Sequence, residues 1–201
     1  MTKILKLLPR FSRRSEGATA LEFGFVVPIL VAFIFGIMEF SMITFATSLL
    51  EGGLREASRF GITGNLPEGA TSREEHLITV VNNHGAGIIK IDDSNLTVKA
   101  YPNFSKIGEP EPFTDLSTPP NGVWDAGEPY TDINCNGQWD DDMGKAGAGA
   151  GGEVVLYSID YEKPLMIGFL APLIGKNGKF PMHATVAVRN EPFEGGDELC
   201  E

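Results

Sequence analysis

The chain has 201 residues, enough for one ordinary domain with appendages, and a formal net charge of -11. The charge is divided: residues 1–17 hold Lys3, Lys6, Arg10, Arg13 and Arg14 against Glu16 alone, while residues 51–201 hold eleven Lys/Arg and twenty-four Asp/Glu. A body this acidic repels phosphate backbones, which argues against nucleic acid as a partner. The two cysteines, Cys135 and Cys200, are too few for a disulfide scaffold and lack CxxC metal spacing.

After the basic head comes an apolar run. Phe23 to Met38 is sixteen residues without a charge, and the apolar-dominated stretch extends from 18 to 50 with only Glu22 and Glu39 interrupting it. A bilayer-spanning helix needs about 20 residues. The basic flank places the head in the cytoplasm and the acidic part outside, in an oxidising space where Cys135 and Cys200 are able to pair. A cleaved secretory signal is the alternative, but the run is long and no clean A-x-A site follows it. Pro28 lies inside the segment, where it removes one helical hydrogen bond and usually bends the helix. Gly24 and Gly36 leave room for close helix approach without GxxxG spacing.

Glu22 is the anomaly. A carboxylate at the centre of a membrane helix costs about 2.5–3.5 kcal/mol, and less near the interface. Either Glu22 is solvated at headgroup level, or a cation meets it. A cut between Gly17 and Ala18 would create one: the α-amine of Ala18, one helical turn from Glu22.

A basic leader, then Gly17, then Ala18-Thr19-Ala20-Leu21, then Glu22-Phe23 resembles a type IV prepilin processing site. The longer stretch "EGATALEFGFVVPILVAFIFGIMEF" is similar to the TadE-like pseudopilins of the tight-adherence (Flp) pilus system. "LREASRFGITG" (54–64) resembles the segment just after that family's membrane helix, and "HATVAVRNEPF" (183–193) loosely resembles its closing strand. The middle, roughly 103–152, has no such counterpart. The resemblance implies cutting after Gly17 by a prepilin peptidase and a retained helix. Glu22 then serves assembly with other pilins or pseudopilins and inner-membrane pilus proteins. It also implies a single-pass inner-membrane protein with a cytoplasmic N-terminus and a periplasmic C-terminal domain.

Residues 40–62 keep helical spacing through Phe40, Ile43, Ala46, Leu50, Leu54, Ala57 and Phe60, with a kink expected at Gly52-Gly53. "SREEHLITVVNN" (72–83), opened by Thr71/Ser72, predicts a second helix. "NLTVKAY" (95–101), "EVVLYSIDY" (153–161) and "KFPMHATVAVRNE" (179–191) read as strands. "PLMIGFLAPLIG" (164–175) is either a short helix or turn packed on the sheet, the favoured reading, or an exposed patch that meets a partner or the bilayer. The expected architecture is α+β, a long N-terminal helix carrying a small antiparallel sheet. In ranges, this is a leader 1–17, a helix 18–62 and a domain 63–201, with an acidic insert 107–143 and a flexible glycine linker 144–152.

The insert has nine acids and no Lys or Arg, and "NGVWD" (121–125) recurs as "NGQWD" (136–140). Asp132-x-Asn134-x-Asn136-Gly137-x-x-Asp140 alternates oxygen ligands ahead of a glycine, as a tight calcium loop requires, with the backbone carbonyl of Gln138 added. Met143 stands where an EF-hand's bidentate Glu would be, so Glu128 or Asp125 is the expected substitute. The stretch is dockerin-like in ligand spacing, without the paired helices, and Cys135 inside it is able to tie it to Cys200. No catalytic motif appears: His76, His84 and His183 are scattered, and HExxH, a P-loop and GxGxxG are absent. The readings are therefore a pseudopilin-like assembly component or, alternatively, a membrane-tethered calcium-dependent binding and adhesion module; neither is an enzyme.

Overall fold

The computed structural model describes residues 16–63 and 72–192; the expectations for most of the leader, for Thr71 and for Cys200 lie outside them. Helix α1, Glu16–Ile62, runs 47 residues, with Pro28 inside it. Its opening turns, as far as Phe33, are bare: Leu21, Phe23, Phe25, Ile29 and Phe33 are all exposed. Its second half presents Ile43, Ala46, Leu50, Leu54 and Ala57 to the domain, all buried. Phe40 and Phe60 fall outside this stripe and are exposed.

The helix is continuous through Gly52-Gly53. The two glycines pay their conformational cost for proximity. A Cβ on Gly53 would stand 3.2 Å from Val81 Cα, and one on Gly52 would stand 2.8 Å from the His84 ring, so any side chain would push the second helix away. That helix, α2, spans Arg73–His84 and is capped by the Ser72 hydroxyl, which accepts from Glu75 N–H.

Four antiparallel strands complete the domain: β1 Leu96–Tyr101, β2 Lys145–Ala146, β3 Val154–Pro164 and β4 Lys179–Arg189, in the order β2-β1-β3-β4. The α+β expectation thus holds, with β2 an addition. Pairing of Tyr157 with Val186 and of Ile159 with Ala184 puts these side chains on one face. Together with Val155 they close the core against Leu50, Leu54, Leu77 and Val81. Burial of an aliphatic side chain contributes about 1.5–3 kcal/mol, so this seam holds α1 to the domain.

The glycine tract is pinned and does not act as a free connector. Lys145 and Ala146 pair with β1, and the Asn190 side-chain amide donates to the carbonyls of Ala148 and Ala150. A Cβ on Gly149 would crowd Ala100 at 2.7 Å. Small residues here let a loop lie flat on the sheet.

Candidate functional site

Gly17, Ala18, Glu22 and Phe23 lie on the exposed opening turns of α1, with Glu22 four residues after Ala18 and so on the same face. Glu22 makes no ion pair or hydrogen bond among the described residues. Further along, Pro28, Ala32, Gly36 and Phe40 step by four and, with Ile29, Phe33 and Ile37, line a shallow apolar groove of about 700 Å³. Ala32 and Gly36 form a small-xxx-small pair, which a search restricted to GxxxG passes over.

The second carboxylate of the apolar stretch behaves differently. Glu39 is 1% exposed, and its carboxylate accepts from Met166 N–H at 3.2 Å and Ile167 N–H at 2.9 Å. Two charge-assisted hydrogen bonds satisfy it, as a buried charge requires. Residues 164–175 therefore meet α1 through Glu39. They form a 3₁₀ turn, Gly168–Leu170, and a short helix α3, Ala171–Ile174. Phe169 meets Phe35 edge-to-face with centroids 6.3 Å apart. Leu170 is buried, whereas Met166, Phe169, Leu173 and Ile174 are exposed. The short helix and turn of the sequence expectation are present, Leu170 is their packed side chain, and the other four form an exposed patch.

The acidic insert is a two-copy unit. Glu111-Pro-Phe-Thr-Asp115 repeats as Glu128-Pro-Tyr-Thr-Asp132, each copy followed by its Asn-Gly-x-Trp-Asp. The copies bind each other reciprocally: Thr114 N–H donates to Pro129 O, and Thr131 N–H to Pro112 O. Glu111, fully buried, accepts from Ile133, Asn134 and Asp140 N–H of the second copy. Glu128 accepts from Leu116 and Asp125 N–H of the first. The rings of Trp124 and Trp139 stack at 5.0 Å between the copies. The full repeat was available in the sequence, but only its Trp-Asp half is conspicuous.

Of the expected calcium ligands, Asp132, Asn134, Asn136 and Asp140 come together. The Asn134 and Asn136 side-chain amides donate to Asp140, and Asp132 accepts from Cys135, Asn136 and Gly137 N–H. Gln138 donates its N–H to Asn136 Oδ1 within the same turn. Glu128 and Asp125 do not join them: both belong to the first copy's loop, where Asn121 also donates to Asp125. Among the described residues no group of three or more His, Cys, Asp or Glu is placed to hold a metal. Cys135 is disulfide-bonded, and the sequence's one other cysteine, Cys200, lies outside the described residues.

The insert is fastened to the sheet by Asp142, which accepts from Lys99 Nζ at 2.6 Å and Tyr101 Oη at 2.9 Å. Burial alone would raise the Asp142 carboxyl, but these donors and Gly144 N–H bring it below its ordinary value. Burial, reinforced by Asp142, pushes Tyr101 up to about 12. The histidines stay apart. His76 stands against Phe60, His84 against Glu56 at 3.2 Å, and His183 against Asp160 at 2.8 Å.

No curated protein and no solved structure matches the chain. Among the described residues one helix, from Gly17, is long and apolar enough to cross a membrane. Over residues 17–59, which take in almost all of that helix, the chain matches the family model described as TadE-like protein.

Proposed function

We propose that this protein is a pseudopilin-like assembly component of a tight-adherence pilus or a related secretion machine. It is anchored in the inner membrane by the first half of α1, with a cytoplasmic N-terminus and the α+β domain outside. The observation that supports this reading most is the position of Glu22: an exposed carboxylate without a partner among the described residues, on an apolar helix matched from Gly17 onward by the TadE-like model. A prepilin peptidase cuts after Gly17, and the freed amine of Ala18 provides the cation that Glu22 lacks, in its own chain or in a neighbouring pilin. An ion pair at that depth gains strength from the low dielectric around it. The partners are other pilins or pseudopilins and the inner-membrane assembly proteins; the role is structural, not catalytic. Intact-mass and N-terminal sequencing of protein extracted from host membranes tests the reading. A chain starting at Ala18 supports it; a chain starting at Met1 removes the cation and defeats the mechanism.

A second reading, a tethered calcium-binding adhesion module, is favoured by the gathering of Asp132, Asn134, Asn136 and Asp140 around Gly137, which has φ 78°. The carboxylate and amide oxygens of these residues are hard ligand atoms, the type calcium takes. Bound calcium would neutralise the two carboxylates and brace the loop, with the Gln138 carbonyl as a further ligand. Titrating the full protein in detergent with calcium should release heat and raise protease resistance of the insert; a flat titration removes this reading.

A further inference from the structure

Strands β3 and β4 are hairpin partners, paired as far as Pro164 with Lys179. Two to five residues suffice to close such a hairpin. Here the chain makes a far longer excursion, and that excursion is apolar, carrying Leu165, Met166, Ile167, Phe169, Leu170, Leu173 and Ile174. Met166, Phe169 and Leu173 are 69%, 55% and 78% exposed. Core formation therefore does not account for them.

We infer that residues 165–175 form a membrane-interface foot, which rests the domain on the outer leaflet of the same bilayer that α1 crosses. Three observations converge on lipid as the occupant. The first is level: counted from Ala18, α1 reaches Glu39 after about 31 Å at 1.5 Å per residue, close to the thickness of a hydrocarbon core of about 30 Å. Glu39 is the residue that grips the foot, so the foot stands at the outer boundary of the core.

The second is continuity: Phe169 touches Phe35, and Phe35 belongs to the exposed apolar belt of Phe33, Ile34, Ile37 and Met38. The patch and the belt form one surface. The third is charge: in an otherwise acidic domain, residues 163–179 hold three lysines and no Asp or Glu; Lys163 is buried and Lys179 pairs with Glu162, which leaves Lys176 as the exposed cation beside the patch. Lys176, exposed at the rim, suits an anionic phosphate headgroup. An apolar face with a cation at its edge lies about 5–10 Å into the boundary region. Glu39 is then a tether that fixes the tilt of the domain on its anchor, because two backbone N–H groups hold it and neither is free to slide.

The inference depends on α1 spanning the bilayer, and the test separates the two. Full-length protein is placed in nanodiscs of phosphatidylethanolamine and phosphatidylglycerol. Spin labels are attached in turn at Leu173→Cys, Ile29→Cys and Val123→Cys, and collision with oxygen is compared with collision with a water-soluble nickel chelate. Oxygen-favoured collision at both Leu173→Cys and Ile29→Cys, with nickel-favoured collision at Val123→Cys in the insert, is the expected result. Nickel access at Leu173→Cys equal to that at Val123→Cys, while Ile29→Cys reads deep, overturns the foot and leaves the patch to a protein partner. Nickel access at Ile29→Cys overturns the spanning reading itself, and the foot with it. Glu39→Ala should shift the Leu173→Cys label toward water while Ile29→Cys keeps its depth; an unchanged Leu173→Cys label would remove Glu39 as the tether.

Discussion

Tyr157 carries a buried hydroxyl with no hydrogen-bond partner among the described residues, and Gly61 is what makes room for it. A Cβ on Gly61 would overlap Tyr157 Oη. Gly61→Ala should therefore destabilise the protein by about 1–3 kcal/mol, the usual cost of overpacking, despite alanine's better helix propensity. Tyr157→Phe should be neutral or stabilising, since it removes an unsatisfied polar atom. The cost of Gly61→Ala should shrink in the Tyr157→Phe background, and additive urea-denaturation midpoints in the cycle would contradict the contact.

Burial pushes Tyr157, like Tyr101, up to about 12. Both raised groups contribute stability that is whole below the ordinary tyrosine value of 10.0 and is lost as pH climbs toward about 12. Asp142 acts at the other end. Its lowered carboxyl contributes stability that is whole above 3.8 and disappears as pH falls through its folded value below that. A pH series of thermal midpoints should show both limbs, and Asp142→Asn should flatten the acid one.

Among the elements, α1 shows one sequence pattern doing two jobs. The stripe from Ile43 to Ala57 is legible because a 3.6-residue period with one buried face leaves a periodic trace. Before it, side chains are apolar all round, which is the trace of a lipid environment. The doubled insert was half legible. Its Asn-Gly-x-Trp-Asp repeat stands out, but the exchange of Glu111 and Glu128 between copies depends on a reciprocal packing that spacing does not encode. That exchange predicts an order of costs. Glu111→Ala strands three backbone N–H groups around a fully buried site and should cost on the order of 3 kcal/mol. Glu128→Ala strands two at a slightly exposed site and should cost less. Denaturant unfolding of the two variants decides the order.

At the scale of the whole molecule, one helix joins the exposed apolar stretch to the domain's core, its second half contributing Ala46, Leu50, Leu54 and Ala57 to that core. Glu22 lies outside that core, and Glu22→Ala should leave insertion and the thermal midpoint unchanged while abolishing assembly, read as fibre yield from the host; normal piliation of the variant would remove the ion-pair mechanism. The sequence by itself determined the long apolar helix, its abnormal carboxylate, the second helix, the three principal strands and the α+β plan, because each leaves a local periodic or compositional mark. Only the tertiary structure decided the rest. Gly52 and Gly53 proved to be contact points for the second helix, the glycine tract proved to be bound by Asn190, Glu128 turned to the other loop, and Glu39 accepts from Met166 and Ile167 N–H. Each of those outcomes depends on a partner more than twenty-five residues away or on a reciprocal pairing between repeats. Local propensity carries no information about which distant group will arrive to satisfy a buried charge or fill the space beside a glycine.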